Sequence, residues 1–162
     1  MKLSHLDRAG RARMVDVADK PATVRTAVAE GAIRMSREAF GLVAEGAAEK
    51  GDVLAVSEIA GTLAAKRTAE LIPLCHPLGL DQVDVEASLD AALPGVRVRA
   101  AAKTVGRTGV EMEALTAVSV ALLAVYDMVK SADRAMEIEG VHLVEKTGGR
   151  RGDWRRNVTA DP

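Results

Sequence analysis

The segment from Val110 to Ala132 constrains the fold more than any other. Read as a helix at about 100° per residue, it is Ala, Val, Leu and Met nearly all round. Its exceptions, Glu113, Thr116, Ser119, Asp127 and Lys130, gather in an arc of about 120°. A helix of that kind is buried, in a core or between subunits. The polar stripe is then expected to be buried with it and to need partners. The most apolar run, Ala114 to Val125, is about half of the ~20 residues a membrane span needs. Glu111, Glu113, Asp127 and Lys130 close it at both ends. The expectation is a core helix of a protein with no membrane partner.

The remaining elements must cover that helix, and 162 residues suffice for one domain with a substantial core. Residues 1–21 lack sustained periodicity and read as a loosely held arm. Thr23 to Met35 carries a strand signal interrupted at Gly31. Ser36 is a good N-cap for a short amphipathic helix with Phe40, Leu42 and Val43. Gly51 is expected to end that helix and Asp52 to cap a second one, reaching about Glu70. Pro73 and Pro77 forbid regular helix across the loop that follows. Val83, Val85, Ala87 and Leu89 alternate with polar residues, Pro94-Gly95 is a turn, and residues 82–104 read as a hairpin. Ile138, Val141, Leu143 and Val144 predict a last strand disturbed near Gly140, and residues 148–162 read as an irregular basic tail.

The order β-α-α-β-β-α-β, less one helix, is the split βαβ pattern. The predicted fold is therefore α+β and ferredoxin-like with one extra helix, an antiparallel sheet covered by helices on one face. It forms a single domain over 1–162. The N-terminus has no apolar signal region, so a cytoplasmic protein is expected.

Composition excludes several function classes. Lys and Arg total 22 against 23 Asp and Glu, a net charge of −1, and only Phe40, Tyr126 and Trp154 are aromatic. A nucleic-acid partner has neither a basic face nor stacking rings to use. Cys75 is the sole cysteine, so no internal disulfide or Cys₄ zinc site can form. His5, His76 and His142 lie on separate elements, and no metal site is expected of them. Walker A and dinucleotide-binding glycine motifs are absent.

Three places could carry chemistry. Asp127 and Lys130 are three apart on the long helix and can touch. They fit a functional stripe, and equally a surface ion pair with Glu111 and Glu113 favouring the positive helix end. His76, between two prolines, is held in one direction. It could serve a phosphate or a proton transfer, or satisfy a backbone carbonyl. Cys75 beside it has no evident base and reads as an inert thiol. The third place is a scatter of cations, Arg25, Lys50, Lys66, Arg67, Lys103, Arg107, Lys130 and Lys146, several beside glycines or at element ends.

Seven segments, in order along nearly the whole chain, resemble one family. They are Met14-Val-Asp-Val17, Lys50-Gly-Asp-Val53, Ala64-Ala-Lys-Arg-Thr68, Leu71-Ile-Pro-Leu-Cys-His-Pro-Leu78, Thr108-Gly-Val-Glu-Met-Glu-Ala-Leu-Thr-Ala117, Tyr126-Asp-Met-Val-Lys130 and Lys146-Thr-Gly-Gly149. The family is the cyclic pyranopterin monophosphate synthases, which act second in molybdenum cofactor biosynthesis. The resemblance implies a lyase acting on 3′,8-cyclo-7,8-dihydroguanosine 5′-triphosphate, with loss of diphosphate and closure of a cyclic phosphate. It implies a ferredoxin-like subunit in a homohexamer, a trimer of dimers, with sites at subunit interfaces. It matches Asp127 to the catalytic aspartate and Lys50 and Lys130 to acid/base lysines. Leu74, Cys75, His76, Met112 and Glu113 match substrate-binding positions, and Arg25, Glu111 and Lys146 match further pocket residues. No cofactor is required by it, and Mg²⁺ on the substrate phosphates is compatible with it. Departures are small: Ala18 for a common Ser, Thr62 for an aliphatic residue, and Gly149-Arg-Arg-Gly152 where a Lys-Ser pair is common.

Overall fold

The computed structural model describes residues 10–150 and 152–157. Thr23–Arg34 forms strand β1, and Ser36 caps helix α1 (Arg37–Ala44), its hydroxyl accepting from the Ala39 N–H. Asp52 likewise caps α2 (Val53–Lys66) through the Ala55 N–H. A single helical turn, α3 (Thr68–Leu71), precedes the hairpin of β2 (Gln82–Asp90) and β3 (Gly95–Gly106). Helix α4 (Glu111–Val129), β4 (Glu137–Thr147) and a two-residue β5 (Trp154–Arg155) complete the order. The sheet runs β2-β3-β1-β4-β5 with every pair antiparallel. Its first four strands have the ferredoxin-like arrangement that the sequence predicts.

Three local expectations are corrected. The first helix ends at Ala44, and Gly46 (φ +66°), not Gly51, takes the left-handed position after it. Gly51 (φ +95°) instead turns the chain just ahead of the Asp52 cap. The second helix stops at Lys66 rather than near Glu70. The buried Thr68 hydroxyl reaches back to the carbonyls of Ala64 and Ala65, so the helix breaks there and restarts as α3. Part of the expected irregular tail is ordered as β5, which pairs Trp154 with Lys146 and Arg155 with Glu145. The disturbance near Gly140 is a bulge, where β4 shifts register against β1 between Glu30 and Ala32.

Helix α4 is the centre of the molecule. Val110 at its start and Ala114, Ala117, Val118, Ala121, Leu122 and Val125 along it are fully buried. They lie on Ala27, Ala29 and Ile33 of β1 and on Val96, Val98, Ala100 and Ala102 of β3. Helix α2 packs beside α4, and the small residues at the contact set their distance. A Cβ on Gly61 would come within 2.9 Å of the Ala117 carbonyl oxygen. One on Gly31 would meet Val118, Leu122 and Val141 at 2.9 to 3.0 Å. On the opposite face of the sheet the strands carry charge, with Arg99 paired to Glu30 and Arg97 to Asp90.

The burial of the polar stripe is only half realised. Glu113 and Thr116 are buried, whereas Asp127 and Lys130 are exposed in the single chain. Gly61→Val would drive two methyl groups into the α2–α4 contact. We expect it to lower unfolding stability by about 1–3 kcal/mol, read as a fall in the denaturant midpoint.

Candidate active site

A cleft of about 880 Å³ opens where five pieces of chain converge: the segment around Val15 to Lys20, the proline-bounded loop, the start of α4, the start of β1 and the end of β4. The two prolines keep residues 72–78 out of helix, and a turn from Ile72 O to Cys75 N aims Leu74, Cys75 and His76 at the cleft. The His76 Nε2–H donates to the Val15 carbonyl at 2.8 Å. One ring nitrogen of His76 thus satisfies a backbone carbonyl, while the ring still lines the cleft. In doing so it pins the segment carrying Val15, Val17 and Lys20 as one wall of the cleft.

The start of α4 supplies Glu111, Met112 and Glu113. Its first N–H groups have no side-chain cap, so the helix presents partial positive charge here. Gly109 lets the chain pass close to Glu111, since a Cβ there would sit 1.9 Å from a carboxylate oxygen. Burial pushes the Glu113 carboxyl above its ordinary value, and the nearby charge of Glu111 adds to this. Burial also raises the Cys75 thiol, with Glu113 contributing, so little thiolate forms at neutral pH. Cys75 is therefore a poor nucleophile.

Cations dominate the rest of the lining. Arg25 projects from β1 and Lys146 from β4, joined by Lys20, Arg107 and Arg150. The Arg25 Nε is buried with no hydrogen-bond partner among the described residues. A buried guanidinium donor without an acceptor is costly and calls for an anion.

At the other end of α4 a different constellation forms. Lys50, in the turn before α2, donates to Asp127 Oδ2 at 2.7 Å and to the Asp127 carbonyl at 2.9 Å. Lys130 donates to Asp127 Oδ1 at 2.6 Å. These bonds, Lys130 first and Lys50 second, pull the Asp127 carboxyl down to about 2. The ammonium groups are half exposed and free to meet a further anion.

The structure thus divides the sequence-derived site in two. Arg25, Leu74, Cys75, His76, Glu111, Met112, Glu113 and Lys146 line the cleft. Lys50, Asp127 and Lys130 do not. From Met112 to Asp127 the helix rises about 22 Å, at 1.5 Å per residue. Lys20 is a cleft residue that the sequence reading did not single out, and Arg150, whose place the sequence left open, also lines the cleft. Lys20 sits in an arm with no periodicity, and Arg150 in a tail whose course only the fold reveals. Arg67 caps the end of α2 and is exposed, not part of either group. His5 and Arg151 lie outside the described residues.

A depressed carboxylate is stabilised above its ordinary range and loses its partners as pH falls through the folded value. The Asp127 side-chain carboxyl should accordingly titrate near 2. In the Lys50→Ala, Lys130→Ala double variant it should return towards the usual ~3.9. Carbon-detected NMR of labelled aspartate reads both, and an unchanged midpoint in the double variant would refute the assignment.

Comparison with known proteins adds the lineage. The MoaC family pattern matches residues 14–149. A cyclic pyranopterin monophosphate synthase of Methylobacterium sp. (strain 4-46) is 62% identical over 160 residues, covering 99% of this chain and 98% of that one. That of Cereibacter sphaeroides (strain KD131 / KCTC 12085) is 61% identical over 156 residues, with 96% and 98% covered. With a match across most of its length and relatives this similar end to end, the chain belongs to the MoaC family.

Proposed function

We propose that this chain converts 3′,8-cyclo-7,8-dihydroguanosine 5′-triphosphate to cyclic pyranopterin monophosphate and diphosphate in molybdenum cofactor biosynthesis. It acts as a phosphorus–oxygen lyase through general acid/base catalysis. The name borne by its relatives supports the reading. The observation that carries it is a cleft with five cations, one of them bearing a buried unpaired donor, together with an aspartate held between two lysines.

A triphosphate brings several negative charges, and Lys20, Arg25, Arg107, Lys146 and Arg150 offset them. Glu111 and Glu113 face the same space as acceptors for N–H donors of a guanine-derived ring. Met112 and Leu74 give that ring an apolar rest. Lys50 and Lys130 move protons during ring rearrangement and closure of the cyclic phosphate. Asp127 stays ionised and fixes both ammonium groups in direction. The reading calls for no resident metal or redox cofactor, and Mg²⁺ accompanying the phosphates fits it. The setting is the cytoplasm.

With about 22 Å of helix between Met112 and Asp127, one chain does not bring both groups to one substrate, so the working unit is a homo-oligomer. Met112, Leu115, Ser119, Leu123 and Asp127 follow one another along an exposed or half-buried edge of α4. Two such edges, antiparallel about a two-fold axis near Ser119, bring Asp127 of each copy to Met112 of the other. A trimer of these dimers gives the hexamer.

The test is a coupled assay. The cyclic dihydro-GTP intermediate is generated in situ, and diphosphate and the oxidised fluorescent pterin are measured together. Both should appear with the wild type, and Lys130→Ala and Arg25→Ala should each lose at least about a hundredfold in turnover. Mixed after dissociation and reassembly, the two variants should regain about a quarter of wild-type activity, because half the dimers then hold one intact site. Absence of both products from a folded oligomer would overturn the function. Failure of the mixture to recover would overturn the shared site.

A further inference from the structure

We infer that Asp153 is a positioning residue for the polyphosphate end of the cleft, acting through the Gly148-Gly149 turn on Arg25 and Lys146. The inference rests on the reading of the cleft as a triphosphate site.

After Thr147 the chain reverses through Gly148 (φ +82°) and Gly149 (φ +89°), a conformation that strains any other residue. Such a turn has little stiffness of its own, because glycine has the most conformational freedom to lose. Asp153 supplies the stiffness. Its Oδ1 accepts the Gly148 N–H at 2.9 Å, and the Gly152 N–H donates to the Gly149 carbonyl at 3.0 Å. The returning strand β5 then fixes Asp153 itself, with Trp154 paired to Lys146 and the Arg156 N–H on the Val144 carbonyl at 2.8 Å.

The clamped turn touches both phosphate-side cations. A Cβ on Gly149 would fall 2.1 Å from Arg25 Nη1, and one on Gly148 would fall 2.5 Å from the Val24 carbonyl oxygen. Bare backbone therefore lies directly against the guanidinium and holds it in direction. The Lys146 ammonium donates to the Gly152 carbonyl at 2.6 Å, one residue before Asp153. Asp153 itself does not line the cleft. A carboxylate there would repel a phosphate, so its contribution is to preorganise two cations that attract one.

Asp153→Ala and Asp153→Asn are compared in the assembled protein. The Asn amide oxygen can accept the same N–H without the charge, whereas Ala has no acceptor. Asp153→Ala should raise KM about tenfold, the scale of one lost hydrogen bond to a preorganised site. Its kcat should stay within about twofold, and Asp153→Asn should restore KM. Inorganic triphosphate is the probe independent of turnover. Its affinity, by calorimetry or by emission from Trp154, the sole tryptophan, should weaken by the same factor in Asp153→Ala only. Gly149→Ala, which pushes a methyl group onto Arg25, should raise KM with Asp153 intact, and an unchanged KM there would overturn the coupling of the turn to Arg25 even if Asp153→Ala misfolds.

Unchanged KM and triphosphate affinity in Asp153→Ala would overturn the inference. So would Asp153→Asn as impaired as Asp153→Ala, or a loss confined to kcat. A wild type that binds triphosphate and turns nothing over would overturn the proposed function while the affinity comparison still decides the positioning role. A wild type that turns over its substrate yet binds no triphosphate would overturn the positioning role and leave the proposed function standing.

Discussion

Burial of α4 on three sides is the constraint from which the rest of the molecule follows. Seven of its positions, counting the preceding Val110, have no exposed surface at all. A helix this apolar can be covered only if its neighbours come close, and small residues let them. Gly61 and Ala121 bring α2 against α4, and Gly31 and the alanines of β1 and β3 bring in the sheet. Such contacts are stiff, because close packing leaves no slack for one element to move without the others. The two ends of α4 are thereby held at fixed places relative to every strand.

Function is proposed at those two ends. The N-terminal end needs its first N–H groups free and positive, and it faces a cleft of arginines and lysines. The C-terminal end carries Asp127 between Lys50 and Lys130, exposed in one chain. A rigid helix holds the cleft residues at one end and the Asp127 constellation at the other a set length apart. The same stiffness holds the cations of the cleft in place, among them a guanidinium whose buried Nε has no partner among the described residues.

Much of the fold was legible because it is written in local signals. Ser36 and Asp52 cap their helices as their side chains dictate, and Pro94-Gly95 turns the hairpin that alternation in 82–104 announces. The misreadings share a cause. Gly46 and Gly51 are equally good turn residues, and only the packing of α1 decides which one follows it. Thr68 looks like an ordinary helix position until its hydroxyl is buried and takes the carbonyls of Ala64 and Ala65. Trp154-Arg155 is too short to show a period, and β5 exists because the edge of β4 offers it partners.

The site divides along the same line. Residue identity and spacing along the chain were enough to single out His76 between its prolines, the Asp127–Lys130 pair and the motifs that carry the family resemblance, because those are properties of neighbours. Which groups share a space was decided by tertiary structure. Lys20, Arg25, Arg107 and Lys146 come from four segments with no common periodicity, and they meet only because the sheet and α4 bring those segments to one end. Lys50 reaches Asp127 across 77 positions of sequence for the same reason. The direction of His76 was also decided there, since its Nε2 bonds the carbonyl of Val15, 61 positions away, a partner no local pattern could name.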